Sequence, residues 1–174
     1  SITADTLNNT GAVNTQQLTK AQLKKLNNQG SLISDKFELS TLDSVNNSGK
    51  LISNQDLELN TAALTNAQNS ILAGNKNLNL HINGTDFNNQ GTVTAMGSLL
   101  LDAAQINTVN NGSLSAGNQL TIDTQSLGNA GKLNASAVNI SASEVNNSAS
   151  IIGSTLQINA AKKADSNIIN SGEI

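Results

Sequence analysis

Leu26-Asn27-Asn28-Gln29-Gly30-Ser31-Leu32-Ile33-Ser34 returns one unit later as Val45-Asn46-Asn47-Ser48-Gly49-Lys50-Leu51-Ile52-Ser53. The signature is an apolar residue, an asparagine two positions on and usually a glycine four positions on. It starts nine times, at Leu7, Leu26, Val45, Leu64, Phe87, Val109, Leu127, Val145 and Ile168. Its asparagines are Asn9, Asn28, Asn47, Asn66, Asn89, Asn111, Asn129, Asn147 and Asn170. Glycine fills the fifth position at Gly11, Gly30, Gly49, Gly91, Gly131 and Gly172. From start to start the spacing runs 19, 19, 19, 23, 22, 18, 18, 23. A unit of about 20 residues is one structural turn that cannot bury an apolar face alone, so the units must stack.

Inside most units lies an apolar-x-apolar triplet, usually with a polar middle residue: Phe37-Glu38-Leu39, Leu57-Glu58-Leu59, Leu99-Leu100-Leu101, Leu120-Thr121-Ile122, Val138-Asn139-Ile140 and Leu156-Gln157-Ile158. Leu100 is the one apolar residue at the middle position. Period two marks a strand, and each triplet is too short for a helix. Glycine, asparagine and serine between triplets supply turns, glycine because it accepts positive φ without a Cβ clash. Short strands all running the same way round, about 20 residues per circuit, predict an all-β fold. It is a right-handed parallel β-helix of eight to nine coils, the hand following the chirality of parallel connections. Residues 1–174 read as one repeat domain. The pattern is already under way at Ser1 and unfinished at Ile174, as in a piece of a longer chain. One strand spacing per coil gives a rod on the order of 40 Å.

Three inward files are expected. Leu32, Leu51, Val93, Leu133 and Ile151 form one; Phe37, Leu57, Leu78, Leu99, Leu120, Val138 and Leu156 a second; Leu39, Leu59, Leu80, Leu101, Ile122, Ile140 and Ile158 a third. The repeated asparagine has two readings. Its amide can form a ladder, donating to one coil and accepting from the other, or it is simply a good turn former. The ladder accounts better for its presence in all nine units, since the residue before it varies among Asn, Thr, Gly and Ile.

Composition agrees with a rod and excludes several other classes. Asparagine is the most abundant residue, and Pro, Cys, Trp, Tyr and Arg are absent. Proline lacks the N–H that a central strand donates. Net charge −3 without arginine argues against a nucleic-acid surface. The absence of Trp, Tyr and Arg argues against a rich binding hot spot. No apolar run approaches the ~20 residues of a membrane-spanning helix.

The units starting at Leu64, Phe87 and Val145 are long, and surplus residues are expected as loops. The segments are 66–71, 83–86 and 160–166, the last carrying Lys162 and Lys163. Loops on a solenoid are where binding residues usually sit. In the first unit, 15–25 lacks a clean triplet, with Lys20 where an apolar residue should point inward. A capped helix and an irregular coil both remain open there, the spacing to Leu26 favouring the coil.

Residues able to do chemistry are few. His81 is the one histidine, too isolated to be a metal ligand. Glu38 and Glu58 share an outward position in adjacent coils and make the best carboxylate pair, the arrangement a polysaccharide-cleaving β-helix would use. They lack an arginine, a nearby histidine and an aromatic platform for a sugar. Asp102 and Asp123 fall singly among polar neighbours. No residue set points to a cofactor or metal, and a non-enzyme is expected.

Nine units of apolar-Asn-Asn-x-Gly with a following inward Leu or Val, clearest at Leu26–Gly30, Val45–Gly49, Phe87–Gly91 and Leu127–Gly131, resemble the filamentous haemagglutinin repeat. The resemblance implies the shaft of a large exoprotein secreted by the two-partner route of Gram-negative bacteria, among adhesins, haemolysins and contact-dependent growth-inhibition toxins. It implies an outer-membrane transporter as export partner, a secreted or cell-surface location, and a shaft projecting a functional tip. A host or target-cell receptor is the further partner considered, with a receptor- or glycan-binding module using the three loops as the alternative. The resemblance brings no catalytic residue.

Overall fold

The computed structural model describes residues 2–160 and 167–174, and within them the side chains of all but 19–22, 41, 42, 85 and 104–106. The chain forms a parallel β-solenoid of about eight turns with roughly 19 residues per turn, and there is no helix among the described residues. The strand Ala12–Asn28 runs through the segment where a helix is the alternative on sequence grounds. Its ladder to Ser31–Asn47 slips between Leu18 and Ala21 and again between Leu23 and Lys25. The irregular coil therefore bulges rather than changing secondary structure.

A regular coil shows how the sequence makes the turn. Lys50–Ser53 forms one short strand and Leu57–Asn66 a longer one, with the corner 54–56 between them. Each lies parallel to its counterpart one coil away: Leu32 on Leu51, Phe37 on Leu57, Leu39 on Leu59, Val45 on Leu64. The inward files follow this register. Leu32, Leu51, Leu72, Val93, Leu114, Leu133 and Ile151 are all buried, as are Leu39, Leu59, Leu80, Leu101, Ile122 and Ile140. Leu156 and Ile158 are only partly buried, in the last strand of their face. A fourth file stands two residues before the asparagine: Leu26, Val45, Leu64, Phe87, Thr108, Leu127 and Val145. Burying one such apolar side chain contributes about 1.5–3 kcal/mol, and the ordering of backbone and side chains opposes it. A coil is therefore stable only against its neighbours.

Thr108 corrects the expected start at Val109. Phe87 pairs with Thr108, which is buried, whereas Val109 turns outward and is 40% exposed. A buried threonine is acceptable there because its Oγ1 lies 2.8 Å from Thr124 Oγ1, so the hydroxyl is hydrogen-bonded. The spacings around this unit become 21 and 19 rather than 22 and 18, and Gly112 takes the fifth position.

The glycines also have a different cause from the one expected. Among the described residues no glycine has positive φ; Asn69 alone, at φ 65°, is left-handed. What the corner requires is proximity. A Cβ on Gly30 would strike the carbonyl oxygen of Gly11, one on Gly49 that of Gly30, and one on Gly131 that of Gly112. Those carbonyls accept from the next coil, as in Ser31 N–H to Gly11 O at 2.8 Å and Lys50 N–H to Gly30 O at 2.8 Å.

Candidate functional site

The most continuous chemical feature of the molecule is a spine of buried amides. Strand alternation points the asparagine inward two residues after the buried apolar residue, at the point where the chain turns. Asn9, Asn28, Asn47, Asn66, Asn89, Asn110, Asn129 and Asn147 are buried, and Asn170 is exposed. Each Nδ2 donates to the Oδ1 of the next coil's asparagine: Asn9 to Asn28, Asn28 to Asn47, Asn47 to Asn66, Asn66 to Asn89, Asn89 to Asn110, Asn110 to Asn129, Asn129 to Asn147 and Asn147 to Asn170. All these distances fall between 2.7 and 2.9 Å. The second N–H of each amide donates to a main-chain carbonyl of that next coil, for Asn28 the Lys50 oxygen at 2.9 Å and for Asn47 the Ile71 oxygen at 2.9 Å. Two donors and at least one acceptor are thus used at every internal rung, which is how a fully buried amide avoids a desolvation cost of about 1–3 kcal/mol.

Asn111, expected in this spine, is not in it. The spine passes through Asn110, while Asn111 is exposed on the corner with its N–H given to Asn89 O at 2.8 Å. The displacement follows from Thr108: choosing the apolar Val109 as the inward residue moves the whole unit one position, and one position exchanges inside for outside. A second, exposed ladder lies beside the first, built from the first asparagine of the repeated Asn-Asn pair. Asn27 donates to Asn8 Oδ1 at 2.8 Å and Asn46 to Asn27 Oδ1 at 3.0 Å, in the direction opposite to the buried spine.

The carboxylates are spread along outward files. Glu38 and Glu58 are register partners on the open face of the long strands, in the file Glu38, Glu58, Asn79, Leu100, Thr121, Asn139, Gln157. Two residues along lies a second file, Ser40, Asn60, His81, Asp102, Asp123, Ser141 and Asn159. In it Asp102 is not single: its Oδ2 is 3.2 Å from His81 Nδ1, with the two side chains 35% and 47% exposed in the order His81, Asp102. A contact so open to water is worth about 1 kcal/mol or less. Asp123 is the next member of that file. Among the described residues no group of three His, Cys, Asp or Glu side chains could hold a metal ion, and no helix is long and apolar enough to cross a membrane.

Two of the three long-unit loops can be placed. Segment 66–71 is a tight plug: Ser70 is buried, its Oγ donates to Asn66 Oδ1 at 2.7 Å, its N–H bonds Ala67 O at 3.1 Å, and Asn69 takes the left-handed turn. Segment 83–86 is a bulge with Asn83, Gly84 and Asp86 exposed. Thr61 pairs with Ile82 and Ala63 with Asp86, leaving three residues opposite Ala62. The third, 160–166 with Lys162 and Lys163, lies outside the described residues beyond Ala160. No family model matches this chain, and neither the curated proteins nor the solved structures contain a match to it.

Proposed function

We propose that the chain is a structural rod: a stalk segment of a large secreted bacterial cell-surface exoprotein that projects an adhesin or toxin-delivery tip. The observation that carries this reading is the amide spine, continuous from Asn9 to Asn170 through bonds of 2.7–2.9 Å. It invests the chain's most abundant residue in axial continuity. The two outward files of the long strands, by contrast, are polar apart from Leu100. The mechanism is geometric, with reach proportional to coil number and an increment of roughly 4.8 Å per coil. The surface location and export through an outer-membrane transporter of the two-partner type rest on the repeat resemblance. They belong to the proposal together with the absence of catalysis.

The test is to duplicate and to halve the coil number within the exoprotein and follow both reach and tip activity. A stalk gives a length that changes in proportion to coil number by small-angle scattering or force microscopy, and cell contact that falls only as reach falls. Alanine substitution across 66–71 and 83–86 that abolishes cell binding at unchanged length would replace the stalk by a binding module. Cleavage of a glycan by the purified chain, lost with Glu58→Gln, would replace it by an enzyme.

A further inference from the structure

Two asparagines in the sequence stand directly before glycine, Asn83 and Asn111. Both are exposed, and the fold holds them in opposite ways. At the corner, Gly112 N–H donates to Asn89 O at 3.1 Å and Asn111 N–H to the same oxygen at 2.8 Å. In the bulge, Asn83, Gly84 and Thr85 face the single residue Ala62, so the ladder cannot engage them all. Glycine is required at 84 on steric grounds, since a Cβ there would meet Ala62 Cβ at 2.5 Å and Ala62 Cα at 2.7 Å. The packing of one coil on another thus places, immediately after an exposed asparagine, the residue that least obstructs attack on its side chain.

We propose that Asn83 is a site of spontaneous, non-enzymatic modification, converting to aspartate and isoaspartate while Asn111 is protected. The Gly84 main-chain nitrogen, giving up its proton to solvent base, attacks Asn83 Cγ. The N–Cγ bond forms, the Cγ–Nδ2 bond breaks, and the amide nitrogen leaves as ammonia after taking up a proton. Water then opens the five-membered imide at one of its two carbonyls, giving aspartate or isoaspartate; one water is consumed, one ammonia is released and no redox change occurs. A nitrogen held by a hydrogen bond to the neighbouring coil, as Gly112 N is by Asn89 O, can neither lose its proton readily nor swing toward the side chain, whereas the bulge sets three residues against one. The product adds a negative charge to a chain of net charge −3, beside the exposed Asp86. Isoaspartate also inserts a main-chain methylene. In a regularly paired strand that would disturb register, whereas a bulge that already sets three residues against one absorbs it. The modification therefore changes surface charge with age and leaves the spine intact, whether or not the chain is a stalk.

The test is peptide mapping of the intact chain after incubation in mildly alkaline buffer, with electron-transfer fragmentation to distinguish isoaspartate. The same incubation is run in denaturant. In the folded chain Asn83 should convert at least about tenfold faster than Asn111, with the two rates converging on denaturation. Asn83→Gln should remove the fast acidic species and leave the melting transition unchanged. Equal rates in the folded chain, faster conversion at Asn111, or an Asn83 that survives folding but converts in denaturant would each overturn the proposal.

Discussion

Asn47 shows how much one side chain can control. Its Nδ2 donates to Asn66 Oδ1 at 2.8 Å and to Ile71 O at 2.9 Å, and its Oδ1 accepts from Asn28. Asn47→Ala strands groups in the coils on both sides and should cost about 1–3 kcal/mol in denaturant unfolding. Asn47→Asp should cost more, because a carboxylate has no hydrogen to donate and would be buried. Glu58→Ala, on the open face, should stay within about 0.5 kcal/mol. The glycines offer a second contrast at this scale. Gly131→Ala drives a Cβ into Gly112 O and should destabilise by about 1–3 kcal/mol. Gly128, in a strand interior, has Thr108 O at 3.8 Å as the nearest atom to an added Cβ. Gly128→Ala should therefore raise stability by about 0.4–1 kcal/mol, through the lower entropy of the unfolded chain. Equal effects of the two glycine substitutions in thermal melts would refute the close-approach account of the corner.

The coil is the unit of the fold and the part most legible in the sequence. Leu57-Glu58-Leu59 and its counterparts alternate with period two, and strand geometry converts that period directly into inside and outside. Thr108 is hidden because its fitness for the core depends on Thr124, a partner in the next coil that hydropathy does not reveal. Gly112, four residues after Thr108 as Gly30 is after Leu26, is the signal that could have found it. The glycine corners read correctly as turns but for the wrong reason, since contact with the coil below is a through-space fact that local propensity does not contain. His81 and Asp102 escape notice likewise: they are far apart in sequence and meet only through the register of adjacent coils. Two predictions belong here. Leu59→Ala, emptying a fully buried position in the third file, should lower stability by about 2–5 kcal/mol. Excising Val45–Ala63, one whole coil, should leave Leu26 to stack on Leu64 and preserve a cooperative transition at lower temperature.

For the molecule as a whole, the orientation of its bonds decides how it carries load. The ladder between coils and the amide spine both run along the rod, the spine with every donor pointing from Asn9 toward Asn170. Tension applied at the two chain ends therefore falls on one terminal coil at a time, not on all coils in parallel as in a sheared sheet. In a single-molecule pulling experiment the rod should come apart stepwise from its ends. Each step would release roughly 60 Å of contour, the extended length of one coil less one strand spacing. A coil that peels off can re-form on the intact template below it, with the next unsatisfied amide ready to accept it. Such a rod yields to a sudden pull by lengthening and winds itself back when the pull ends.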